Sequence, residues 1–430
     1  MTNQKQNSNI VAIVMMIFLF AMIAFVTNLA APMGVIVKAQ FLEGSANANF
    51  LGMLGNFANF LAYLCMGIPA GILLKKIGYK KTALLAVAVG FAGVGVQFLS
   101  GVASSFIVYL TGAFISGFSM CMLNIVVNPM LNNLGGGGNK GNQLIQVGGT
   151  FNSLTGTVTP IFVGALIGTV TKDTAISDVN PILFIAMGVF ATAFIILSLV
   201  SIPEPHREEK SDVKVKDKYS PWSFRHCVFG VIGIFIYVGI EIGVPGTLNL
   251  YLADMKNGAK LDPATAGSVA ATYWFLMLTG RFLGSMIGGK ISSKLMLTVA
   301  SGVGMVLTAL AIFSSPEIMV SMPIFTGTSF ALAKVPVAAS FLVLIGLCTS
   351  VMWGVIFNLA VEGLGKYVAA ASGIFMMMVV GGGILPLLQN YIADQAGYMV
   401  SYWVIFAGLA YLLYYALIGC KNVNKDIPVE

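Results

Sequence analysis

Hydrophobic positions in this 430-residue chain fall into long runs. A helix needs about 20 mostly apolar residues to cross the hydrocarbon core of a bilayer, and twelve runs reach that length. They lie near residues 10–37, 48–74, 82–100, 105–130, 144–169, 180–202, 226–252, 264–289, 294–313, 337–361, 369–391 and 398–420. Each predicts a membrane-spanning helix. The first run has no small-residue cleavage site and continues into a full span, so it reads as a span and not as a removed leader.

Two stretches interrupt the pattern. Residues 203–225, PEPHREEKSDVKVKDKYSPWSFR, are strongly charged and split the runs six and six. This predicts an amino-terminal six-helix bundle over 1–202, a solvated connector over 203–225 and a carboxy-terminal bundle over 226–430. The second stretch, 314–336, is only half polar. A surface helix and an extra-long outer loop both fit it.

Composition agrees with a polytopic membrane protein. Charged residues make up 9% and hydrophobic ones 57%, with a mean hydropathy of +0.90. A soluble domain carries about 25% charged residues, so neither a soluble globule nor a disordered chain fits. The net charge of +7 shows no basic stripe with interleaved aromatics, so nucleic acid is not an expected partner. It reads instead as a topology signal. Five basic residues, Lys38, Lys172, Lys256, Lys260 and Lys334, fall on the side away from the amino terminus. The other 18, Arg281 among them, are assigned to the amino-terminal side. By the positive-inside rule both termini and the connector face the cytoplasm, as expected for a multi-pass protein of a bacterial inner membrane.

The chain offers little raw material for catalysis. Its five cysteines are scattered without metal-type spacing, and His206 and His226 flank one polar loop, so no metal or cofactor is expected. The GGGGNKG run (135–141) lacks the preceding strand and the Gly-Lys-Ser/Thr of a phosphate-cradling loop. An enzyme is not expected.

The two halves repeat one another weakly. The fourth span ends GFSMCMLNIVVNPMLNNLG and the tenth GLCTSVMWGVIFNLAVEGLG. The second and eighth spans both run into Gly-rich, Lys-bearing turns. The fifth and eleventh each carry one proline, Pro160 and Pro386. Repeats of this kind are a mark of secondary transporters.

Polar residues inside spans usually face the bundle interior. Here they are mostly amides: Asn28, Asn56, Asn59, Gln97, Asn124, Asn128, Gln146 and Asn152 in the first half. The second half supplies Asn249, Asn358, Gln389 and Asn390, with Thr349, Trp274 and Trp353. Amides both donate and accept, and indole faces match the C–H face of a sugar ring. Such a lining suits a neutral polyhydroxyl ligand. A phosphate or dicarboxylate would want Arg or Lys near the midplane. Glu241 is the one carboxylate well inside a span, about 24 Å along its helix from Arg225 at 1.5 Å per residue. It can carry a proton, coordinate Na⁺, or serve as a structural acceptor. Arg281 reads as too near the amino-terminal side to neutralise it.

Five segments carry a resemblance. GIPAGILLKKIGYKK (67–81), Asn128-Pro129 followed by TFNS (150–153), FIYVGIEIGVPGTLNLYL (235–252), YWFLMLTGRFLGS (273–285) and the stretch 357–394 are similar to the fucose/galactose/glucose symporter family of the major facilitator superfamily. The resemblance spans nearly the whole chain. It implies an all-α membrane protein of twelve helices in two pseudo-symmetric six-helix bundles, with alternating access and proton-coupled sugar uptake. The family's acids in the first and fourth helices fall at about Ala31 and at Asn124 here, so neither carries over. Asn28, Asn152 and Glu241 do match. The family's Gln before TFNS is Gly149, with Gln146 one turn earlier. In the tenth span its Asn-Ser and Phe-Pro-Thr become Thr349-Ser350 and Trp353-Gly354-Val355.

The expected activity is ion-coupled import of a neutral monosaccharide by a monomer in a lipid bilayer. Asn28, Asn124, Asn128, Gln146, Asn152, Asn249 and Thr349 are expected to bind hydroxyls. Trp274 and Trp353 would pack on the ring, and Glu241 would couple transport to H⁺ or Na⁺. A sugar uniporter and a multidrug-type exporter are the rival readings.

Overall fold

The computed structural model describes residues 2–41, 48–167, 180–204, 219–254 and 258–429. The first half holds α1 (Thr2–Phe41), α2 (Ala48–Ala103), α3 (Phe106–Leu134), α4 (Gly138–Ile167) and α5 (Asn180–Leu199). The second holds α6 (Arg225–Ala253), α7 (Pro263–Ile287), α8 (Ser293–Phe313), α9 (Val337–Val361), α10 (Val368–Met378), α11 (Gly381–Ala396), α12 (Tyr398–Ser401) and α13 (Trp403–Tyr414), which runs into a π-turn over Tyr415–Gly419. Most of the charged connector, 205–218, lies outside the described residues.

Among the described residues, nine stretches are long and apolar enough to cross a membrane. One of them, Phe57–Ala103, is 47 residues long and bends at Gly78 into two spans. α4 and α7 complete the twelve expected crossings. They are less apolar than the rest because they carry the Gln, Asn, Thr and Arg side chains that build the site below. The result is a pair of pseudo-symmetric six-helix bundles.

The bend in α2 needs glycine. Gly78 has φ +82° and ψ 176°, a region of backbone space that is essentially restricted to glycine. The helix restarts there with backbone N–H groups that lack helical partners. Glu204, just beyond α5, accepts from the N–H of Tyr79 at 2.5 Å and of Lys80 at 3.0 Å. A carboxylate at a helix start is also favoured by the helix dipole.

Residues 314–336 are neither a surface helix nor a plain loop. Met319–Phe325 (β1) and Phe330–Pro336 (β2) form an antiparallel hairpin, with Phe325 opposite Phe330. The turn is Thr326-Gly-Thr-Ser329, closed by the Thr326 N–H donating to Ser329 O, with Gly327 at φ +102°. The Phe325 N–H donates to the Thr272 hydroxyl of α7, and Phe275 of α7 packs against Phe325 and Phe330. Pro336 then caps the start of α9.

The bundles approach closely at glycines of α2 and α10. A Cβ on Gly67 of α2 would sit 2.5 Å from the backbone N of Met377, and one on Gly71 would sit 3.0 Å from Cα of Gly373 in α10. On the same side, α4 packs on α7 and α9. This seam lies toward the face carrying the Lys-bearing turns after α3 and α7, hereafter the basic face. α6 contains Pro245, which removes one backbone donor inside the helix.

Candidate functional site

The centre of the site is a buried ion pair. Arg281 Nη2 lies 3.0 Å from Glu241 Oε1, and neither side chain is more than 14% exposed. The same guanidinium spends its other donors on two further helices. Nε donates to Ser350 O of α9 at 3.3 Å. Nη1 donates to the Ser153 hydroxyl at 2.6 Å and toward Gly149 O at 3.5 Å, both on α4. Arg281 therefore belongs to the second bundle and holds the first. Its placement corrects the sequence expectation on two counts. It does neutralise Glu241, and it is not one of the basic residues of the Lys-rich face. Counting residues along a helix locates a Cα, whereas a long guanidinium arm delivers its charge elsewhere. Tyr237, one helical turn before Glu241, turns its buried hydroxyl toward the pair.

A second cross-bundle contact joins two expected ligand-binding residues. Trp353 Nε1 of α9 donates to Asn128 Oδ1 of α3 at 3.0 Å. Asn128 in turn donates to Asn124 O at 2.9 Å, and Asn124 donates to the Tyr63 hydroxyl and to Met120 O, both at 3.0 Å. The asparagines sit one helical turn apart, so they form a ladder up one face of α3. Tyr237 packs on Trp353 with ring centroids 6.2 Å apart. The indole thus links the amide ladder to the neighbourhood of the ion pair.

Two glutamines of α4 close the seam nearer the basic face. Gln146 Nε2 donates to Val351 O at 2.8 Å, and Gln143 Nε2 to Ser285 O at 3.0 Å. Asn152 donates to Phe20 O of α1 at 2.8 Å. Asn28 donates to Ala24 O in its own helix at 2.8 Å and faces Gly156 of α4. Thr349 and Tyr273 share a hydroxyl–hydroxyl hydrogen bond of 2.8 Å, with Trp274 edge-on to Tyr273.

Ten residues were singled out from the sequence as site residues. Asn124, Asn128 and Trp353 come together in one network, Gln146 joins the seam beside it, and Glu241 pairs with Arg281. Asn28 and Asn152 lie on the facing surfaces of α1 and α4, and Thr349 with Trp274 forms a separate group around Tyr273. Asn249 is exposed and eight residues beyond Glu241, about 12 Å along α6; it joins none of these groups. Sequence reasoning missed Arg281, Ser153, Tyr63, Tyr237 and Tyr273. An arginine inside an apolar run is itself a signal of function, and Arg281 carried that signal.

Chemically, the positive charge at the centre is cancelled where it stands. What remains is amide, hydroxyl and indole. One amide N–H each of Asn28, Gln146 and Asn152 is spent on a backbone carbonyl, which leaves the amide oxygens, among the described residues, and a second N–H on each for a ligand. Acceptors without excess charge match the hydroxyl donors of an uncharged ligand.

Two bundles meeting over a buried polar centre suit a membrane transporter and not an enzyme. The chain belongs to the Major Facilitator Superfamily, whose family model matches residues 11–378. It is 29% identical over 373 residues to a glucose/galactose transporter of Brucella abortus, covering 86% of this chain and 85% of that one. It is 24% identical over 417 residues to the L-fucose-proton symporter of Escherichia coli, covering 91% and 89%. Solved structures of the E. coli fucose:proton symporter FucP share the fold, with TM-scores of 0.79 and 0.80 at 19% and 20% identity. Each covers 95% of this chain and 98% of the other.

Proposed function

We propose that this sugar transporter of the major facilitator superfamily imports a neutral hexose, deoxyhexose or close derivative by ion-coupled symport. The basic face is cytoplasmic, the membrane is a bacterial inner membrane, and the protein works as a monomer without a cofactor. The observation that carries the reading is the Arg281–Glu241 pair, which among the described residues is the one point where a buried acid, a buried base and both bundles meet.

In this reading, Arg281 clamps α4 through Ser153 and Gly149 while Glu241 holds the guanidinium. Binding of H⁺ or Na⁺ at Glu241 removes its attraction for Arg281. The clamp on α4 is then free to break and the basic-side seam to part. Sugar hydroxyls meet the oxygens of Asn28, Gln146 and Asn152 and the amide ladder of Asn124 and Asn128, with Trp353 and Trp274 offering ring faces. The names of the relatives, glucose/galactose transporter and L-fucose-proton symporter, favour a hexose or deoxyhexose and favour the proton.

Uniport is the second reading. An acid already neutralised by a salt bridge has less need of a cation, which favours downhill flux without coupling. Proteoliposomes separate the two. A pH or Na⁺ gradient is expected to drive sugar above its external concentration, and Glu241→Gln to abolish accumulation while counterflow persists. Counterflow without accumulation in the wild type would establish uniport. Failure of every sugar in a panel to raise Tm would overturn sugar transport itself.

A further inference from the structure

On the basic face, away from the ion pair, lies a cavity of about 490 Å³. Three cations line it: Arg225, Lys294 and Lys421. Among the described residues none of the three makes an ion pair. Glu362 is the one carboxylate on the wall, and it lies within salt-bridge distance of none of them. The cavity floor is built, not accidental. Asn358, 5% exposed, donates to the hydroxyl of Ser293, 3% exposed, at 2.9 Å, and this leaves the Ser293 hydroxyl proton for another acceptor.

Helix polarity adds to the side-chain charge. α4 starts in the wall at Gly138 and Asn139, and α8 starts there with Ser292 as its cap. Helix starts present unpaired N–H groups and the positive end of the dipole. Cations, a buried hydroxyl and two helix starts converging on one space make a receptor for an oxyanion, and phosphate has the matching geometry. The rim is apolar and open on one side: Leu417 is 49% exposed and Ile418 54%. Acyl chains would lie there if the phosphate belonged to a lipid.

The wall comes from both bundles. Gly138 and Asn139 belong to the first, and every other lining residue to the second. A ligand gripped on both sides stabilises the arrangement in which the seam is closed, because it binds that arrangement better than one with the walls apart.

We propose that this cavity binds a phosphate-bearing anion, either the headgroup of an anionic phospholipid or a free phosphate, and that occupancy holds the basic-side seam shut. The site would regulate transport from the face opposite to substrate entry, independently of which sugar is carried.

The test uses the full-length protein purified in detergent, with phosphatidylglycerol, phosphatidylcholine and inorganic phosphate as probes at matched ionic strength. Phosphatidylglycerol or inorganic phosphate is expected to raise Tm by several degrees, and phosphatidylcholine not to. A response to phosphatidylglycerol alone assigns the headgroup; a response to phosphate as well assigns a free anion. The double variant Lys294→Gln/Lys421→Gln is expected to lose the shift. Lys294→Arg/Lys421→Arg is expected to keep it, as is Lys290→Gln, which removes a charge outside the cavity and controls for misfolding. A cysteine replacing Ser285, at the seam, is expected to react about twofold more slowly with the bound probe present. No shift with either anion, or an equal shift in the double Gln variant, overturns the site. Unchanged labelling at position 285 overturns its effect on the seam.

Discussion

Arg281 and Glu241 form a salt bridge whose guanidinium also donates to Ser153 in the opposite bundle. Removing one partner of a buried pair leaves the other charge without compensation, at a cost of about 3–5 kcal/mol. Glu241→Gln is therefore expected to lower Tm substantially. Arg281→Met/Glu241→Gln is expected to be more stable than the sum of the two single losses would make it. A double-mutant cycle read by thermal unfolding checks this, and additive losses would show that the two residues act independently.

Ser153 separates the clamp from the charge. Ser153→Ala removes one acceptor of Arg281 and leaves Glu241 in place. A charge-assisted hydrogen bond contributes roughly 1.5–3 kcal/mol, and here it contributes only while the bundles are together on this side. The variant is expected to shift the protein toward the basic-side-open arrangement, with a change in transport rate larger than its change in Tm. Equal fractional effects on the two would mean that Ser153 has a structural part only.

Gly67 faces the backbone of Met377 with no space for a methyl group. Gly67→Ala is expected to hold α2 and α10 apart and to raise the reactivity of a seam cysteine at position 285. Gly302, which has open space where a Cβ would stand, is the control: Gly302→Ala is expected to change neither reactivity nor transport. Labelling of Gly67→Ala at the wild-type rate would show that the helix pair adjusts without opening.

Glu204 works at a distance as the cap of the second part of α2. Losing a helix cap costs about 0.5–2 kcal/mol. Glu204→Ala is expected to fall in that range by thermal unfolding. Glu204→Gln, which can still accept from one N–H, is expected to fall between it and the wild type. Identical stabilities for all three would remove the capping role.

Much of the fold is legible in the chain because span length and apolar content are set by bilayer thickness. Most runs are matched by helices in the structure to within a few residues at their ends, while α1 and α4 extend further beyond their runs toward the amino terminus. Gly78 shows the limit: its turn reads as a gap between runs, while the helix bends there and restarts at once under a cap supplied from residue 204. The hairpin was illegible for another reason. Thr326-Gly-Thr-Ser329 between runs rich in Phe, Ile and Val is a turn signal, but Pro323 and Pro336 argue against strands. Within the site, Asn124 and Asn128 were legible because an amide inside an apolar span points to the bundle interior. The partners Trp353 and Tyr63 lie on other helices, and such pairings are set by how helices pack. Arg281 was misplaced for the same reason, since its depth depends on where a flexible arm ends.

Pro245 stands four residues after Glu241. A helix is held by each N–H reaching back to the carbonyl four residues earlier, so the carbonyl left without its donor is that of Glu241 itself. The residue that carries the buried acid is thus also the weakest rung of its own helix. Flexing α6 there would swing the carboxylate relative to Arg281, making the acid's backbone a pivot as well as its side chain a charge.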